Sequence, residues 1–161
     1  MAPATRAGYA RDFYPVLLDA LDRDVADGKW VANWDRQYRE HMTRLVEVAA
    51  ADQDPAAAAL GLALLAGAHD AIPSEPGGDH YWRQAVERYK AAAPDHAAAG
   101  LAYQVVNWFL ARNKPSKLAA NVLRRARTEL QKAARDARTP DAVKAKAEEA
   151  LERLGRLGLA N

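Results

Sequence analysis

The sequence contains no cysteine. Disulfides, thiolate metal sites and cysteine nucleophiles are thereby excluded, and the absence fits a reducing, cytoplasmic setting. No apolar run approaches the roughly 20 residues that a membrane-crossing helix needs. The longest, Ala56–Ala68, is mostly alanine with two glycines and reads as a buried helix. The opening residues, Met1-Ala-Pro-Ala-Thr-Arg6, lack the apolar stretch of a signal peptide. No segment alternates apolar and polar residues over the length of a strand, which excludes a phosphate loop of the strand–glycine–helix kind. No Glu-x-x-His pair occurs, so the ferritin-like di-iron pattern is absent, and no Ser-His-Asp arrangement has local support. Glycine and proline are few and fall between periodic segments, which argues against disorder.

What remains is a helical sequence. Half of the residues are hydrophobic, alanine is the commonest of them, and larger aliphatic side chains recur at helical spacing. A core built this way brings helix backbones close together. The 161 residues fit one domain, 1–161, of the all-α class. Start and stop signals predict about seven helices in antiparallel pairs. The first covers 5–27, with a break expected near Pro15 and Gly28 as its stop. The second covers 29–51, with Trp30, Trp34, Tyr38, Met42 and Leu45 on one face. Asp54-Pro55 is an N-cap followed by proline at the first helical position, and this third helix runs to about Pro73. The loop 73–78 leads to helices over 79–93, from Pro94-Asp95 to 112, from Pro115 to 138, and from Thr139-Pro140-Asp141 to Gly155 or Gly158.

Charge is unevenly placed. Residues 1–113 carry 11 Lys/Arg against 15 Asp/Glu, and residues 114–161 carry 12 against 6. The more basic part, 114–161, favours an anionic partner or head-to-tail self-association. Lys117, Arg124, Arg127, Arg135 and Arg138 fall in one arc of the helix over 116–138, flanked by Arg125 and Lys132. Leu118, Val122, Ala126, Leu130, Ala133 and Ala137 form the opposing stripe, expected to be buried. The basic face would extend roughly 30 Å, enough to follow a nucleic-acid backbone or an acidic protein surface. Its plainer reading is a solvated face whose arginine stems cover apolar surface. Tyr81-Trp82, beside Gly77-Gly78, either lines a groove or plugs one end of the bundle.

Two further constellations stand out. Ala85, Tyr89 and Ala92 recur 34 residues later as Ala119, Leu123 and Ala126, and Gly100-x2-Tyr103 follows the first set. Over about residues 81–126 this resembles tetratricopeptide repeats. The resemblance implies stacked helix pairs with a concave surface for a peptide or helix. An irregular bundle is the competing architecture. His69-Asp70, closing the apolar helix, is similar to the motif of HD-domain metal-dependent phosphohydrolases. That resemblance implies His41 as an earlier metal ligand and Asp95 or Asp136 as a later one, with the metal activating water against a phosphate ester. Asp79 and Asp95 are sufficiently explained as N-caps beside His80 and His96. The leading expectation is a non-catalytic module that binds another protein or a peptide, without cofactor or metal. Binding of nucleic acid or an acidic partner through the helix over 116–138, and an HD-like phosphohydrolase, are the alternatives.

Overall fold

The structure, a computed structural model, describes residues 3–71, 77–112 and 117–156. The protein is all-α: these residues form eight helices and no strand. Among them no helix is long and apolar enough to cross a membrane.

Helix α1, Pro3–Ala26, runs through Pro15 without the expected break. Proline removes one helical hydrogen bond, but Tyr14 and Leu18 on either side of it are both buried, and this packing holds the helix straight through. Gly28, at φ 72°, stops it in a Schellman turn, with the Lys29 N–H donating to the Asp24 carbonyl and the Gly28 N–H to that of Val25.

The next segment is divided into α2 (Trp30–Asn33), a π-helical stretch (Trp34–Arg39) and α3 (Glu40–Ala51). Trp30, Trp34, Tyr38, Met42 and Val46 are buried, each four residues after the last, whereas Leu45 is only half-buried. A constant step of four overshoots an α-turn of 3.6 residues. The wider i→i+5 turns take up that overshoot and keep all five side chains on one face.

Helix α4, Pro55–Asp70, is the centre of the fold. Asp54 caps it by accepting the Ala57 N–H at 3.0 Å, and every residue from Ala57 to His69 is buried. It packs against α1 and α3 and against the three helices that follow it: α5 (Gly78–Tyr89), α6 (Ala97–Arg112) and α7 (Lys117–Arg135). Helix α8, Asp141–Arg156, closes the chain against α6 and α7. Short links make successive helices antiparallel, so α5 and α7 run in the same direction.

Several boundaries differ from those expected. Helix α5 ends at Tyr89 rather than 93, and α6 starts at Ala97, preceded by His96 at φ 62°. Asp79 and Asp95 are not the caps of these helices: Gly77 precedes α5, and the His96 carbonyl accepts the Gly100 N–H. Helix α7 ends at Arg135, where the Asp136 carboxylate accepts the Arg138 N–H and the chain turns. On α7 the buried stripe is Val122, Leu123, Ala126 and Leu130, with Ala133 half-buried and Ala137 exposed past the helix end. The Leu118 and Ala119 side chains lie outside the described residues. Ala92 is exposed beyond the end of α5, whereas Ala126, its counterpart 34 residues on, is buried within α7.

Candidate functional site

Three features that are separate in the sequence meet at the end of α4. Asp70, on its last turn, takes a two-pronged bond from Arg125 of α7: Nε to Oδ2 at 2.6 Å and Nη2 to Oδ1 at 2.7 Å. The remaining Arg125 nitrogen, Nη1, donates to Asp79 Oδ1 at 2.8 Å. One guanidinium therefore ties the end of α4, the first turn of α5 and the middle of α7. Two parallel N–H···O bonds fix orientation as well as distance. Gly78 packs so closely on this clamp that a Cβ there would run into the Asp70 carboxylate and stand 2.7 Å from Arg125 Nη2. The Arg125 guanidinium is held above its ordinary pKa, first by the hydrogen bond to Asp70. The Asp79 carboxyl is held below the usual carboxylate range, first by the hydrogen bond from Arg125.

His69 points the other way, into the protein, and is only 3 % exposed. Its ring meets Trp34 edge-on at 5.4 Å between centroids and lies against Tyr81 at 4.8 Å. A Cβ on Gly77 would come within 2.7 Å of His69 Nδ1, so the entry to α5 rests on the imidazole. Tyr81 thus covers His69. Its neighbour Trp82, 6 % exposed, turns toward α7 and lines a groove.

That groove, of about 410 Å³, runs between α5 and α7. Asp79, Trp82 and Arg83 line it from α5, and Arg125, Thr128, Glu129 and Lys132 from α7. Lys132 approaches Glu129 only at 3.9 Å. Beside the groove, on the outer face of α7, Arg124 and Arg135 are exposed and Arg127 is half-buried. Arg138 lies past the helix and binds Asp136, while the Lys117 side chain lies outside the described residues. Along α7 the described exposed cations span roughly 16 Å, from Arg124 to Arg135.

The residues of the HD-like set are dispersed. His41 is exposed on α3, His69 is buried among aromatic rings, and Asp70 is engaged by Arg125. Asp95 lies on the α5–α6 link, and Asp136 faces Arg138. Among the described residues no group of three or more His, Asp or Glu side chains is placed to hold a metal ion. No family model, curated protein or solved structure matches the chain.

The clamp makes a direct prediction. With the Asp70 and Arg125 side chains 23 % and 22 % exposed, the pair is partly screened. Arg125→Met should cost about 1–2 kcal/mol, because Asp70 then keeps its charge without a partner. Asp79 titrates lower in the folded protein than unfolded, so the stability it adds is complete above about pH 4 and is lost as pH falls through the folded value. Urea titrations between pH 2 and 7 should show the variant less stable at neutral pH and less sensitive to acid than the wild type. Equal stability at neutral pH would show that the clamp contributes nothing.

Proposed function

We propose that the protein is a non-catalytic helical interaction module, and that it docks an acidic segment of another protein in the groove between α5 and α7. The observation that carries this reading is the position of the groove beside the basic strip of α7. A segment seated along Trp82, Arg83 and Lys132 would have Arg124 and Arg135 alongside it. Arg125 is already matched by Asp70 and Asp79, so it shapes the groove wall and the outer cations supply the attraction. Complementary charge of this kind sets partner choice and association rate more than raw affinity. A cytoplasmic place fits the absence of cysteine.

Nucleic acid is the second reading, favoured by the same exposed arginines. One experiment separates the two. Fluorescence anisotropy would follow a labelled amphipathic peptide rich in Glu and Leu, a neutral Gln-substituted copy of it, and a DNA duplex. The acidic peptide should bind most tightly, and Arg124→Gln/Lys132→Gln/Arg135→Gln should weaken it about tenfold, a few tenths to one kcal/mol for each charge. Tighter binding to the duplex, with a log–log salt slope near −3 that the triple variant abolishes, would favour nucleic acid. Equal, weak binding of all three probes at low salt would refute both.

A further inference from the structure

A second cavity, of about 210 Å³, opens where the end of α5, the start of α6, the middle of α7 and the start of α8 meet. It shares no lining residue with the groove. Its floor is apolar: Leu130 and Ala147 are each 1 % exposed. Tyr89 and Tyr103 form its walls. Gly100 is needed there, because a Cβ would stand 2.7 Å from Tyr89 Cε1, so the ring rests directly on the α6 backbone. Burial pushes the Tyr89 phenol above its ordinary pKa, which keeps the hydroxyl protonated and able to donate.

The mouth of the cavity is polar and carries both signs of charge. Asp95 and His96 reach it from the α5–α6 link, and Lys146 reaches it from α8. The Lys146 ammonium stands 5.7 Å from the centroid of the Tyr103 ring, at the top of that wall. All three rim side chains are exposed. His96 holds a left-handed φ of 62°, which costs a residue other than glycine about 1 kcal/mol or more, and this turn brings Asp95 to the mouth.

Size and chemistry together define the ligand. Pockets for drug-sized molecules begin near 300 Å³, so this one suits something about as large as a single amino acid. The floor and the tyrosine walls call for a bulky apolar group. A carboxylate on the rim from one element and an ammonium from another call for a ligand that carries both opposite charges. We propose that this cavity binds a free α-amino acid with a large apolar side chain. The side chain lies on Leu130 and Ala147 between the tyrosines, the α-carboxylate faces Lys146 and the α-ammonium faces Asp95. This site is independent of the groove and stands or falls without it.

The test is amide chemical-shift mapping of the labelled protein with four probes: L-phenylalanine, 3-phenylpropionate, phenethylamine and glycine. Asp95→Asn and Lys146→Gln change exposed side chains only, so both variants should keep the wild-type spectrum outside the cavity. Phenylalanine should shift the Gly100 and Tyr103 amides saturably, and glycine should not. Asp95→Asn should weaken phenylalanine and phenethylamine roughly three- to fivefold and leave phenylpropionate unchanged, as expected for an exposed ion pair. Lys146→Gln should weaken phenylalanine and phenylpropionate and leave phenethylamine unchanged. No saturable shift with phenylalanine overturns the proposal. So does tighter binding of phenylpropionate than of phenylalanine, or equal weakening of every probe by both variants.

Discussion

Trp34→Ala should cost about 3–5 kcal/mol, the range for removing a buried tryptophan from a core. Trp34 is 1 % exposed and opens the π-helical stretch. Its ring meets Trp30 at 6.1 Å and His69 at 5.4 Å, both edge-on. Truncation would leave a cavity between α2 and α4 that stiff, alanine-rich neighbours cannot fill. The indole N–H finds no hydrogen-bond partner among the described residues. A buried donor in that state is itself a cost, so Trp34→Phe, which removes it, should lose far less, about 1–2 kcal/mol. Denaturant titration of the two variants gives the comparison. The consequences should reach the groove, since Gly77 and Tyr81 rest on the same His69 ring. Hydrogen exchange in the first turn of α5 should accelerate in the alanine variant before exchange in α8 does. Equal losses for alanine and phenylalanine would show that burial of an aromatic ring does not set the stability at this site.

The features legible in the sequence are those that local chemistry decides. Asp54-Pro55 starts α4 because a carboxylate and a missing N–H both act within one turn. Gly28 ends α1 because a left-handed residue is needed at that point. Pro15 misled for the opposite reason: its local penalty is outweighed by Tyr14 and Leu18, whose burial depends on helices far along the chain. The π-helical stretch leaves only a faint mark, the constant step of four from Trp30 to Val46.

The candidate site divides in the same way. His69-Asp70, Tyr81-Trp82 and the charges of α7 each stand out alone. Their meeting depends on contacts between residues 46 and 55 positions apart, which no spacing rule supplies. Arg125 shows the difficulty most clearly. By helical angle it flanks the basic arc, yet it is drawn inward to two carboxylates. Gly77 and Gly78 look like loop residues in the sequence, whereas in the fold a Cβ at either position would run into His69 or Asp70. The cavity beside Tyr89 joins two halves of the repeat signature, Tyr89 and Gly100-x2-Tyr103, as parts of one wall.

Gly61→Val should destabilise the protein by about 3 kcal/mol or more, the upper range for overpacking a close-packed core. Gly61 sits in the interior of α4, where glycine is worse than alanine by about 1 kcal/mol in intrinsic helix preference. That penalty is outweighed by the approach of two neighbouring helices. A Cβ at Gly61 would lie 2.5 Å from the Tyr14 hydroxyl oxygen of α1 and 2.5 Å from Val46 Cγ2 of α3. Neither group yields easily. Val46 is β-branched and restricted at χ1, and the buried Tyr14 hydroxyl donates to the Ala57 carbonyl at 3.0 Å. Displacing the tyrosine would leave that hydroxyl buried without its acceptor, at about 1–3 kcal/mol. Gly61→Ala therefore sets a helix-propensity gain against a larger packing loss and should be destabilising by about 1–2 kcal/mol, with valine worse. Adding Tyr14→Phe removes the nearer of the two Tyr14 atoms that would clash and leaves Cζ at 2.9 Å and Val46 Cγ2 in place, so Gly61→Ala should cost less in that background than in the wild type, a coupling of at least about 0.5 kcal/mol. Gly61 lies toward the start of α4, far along the helix from Asp70, so folded Gly61→Ala protein should bind the acidic peptide as the wild type does. A Gly61→Ala variant as stable as the wild type would mean that α1 and α3 do not close on α4 at this point.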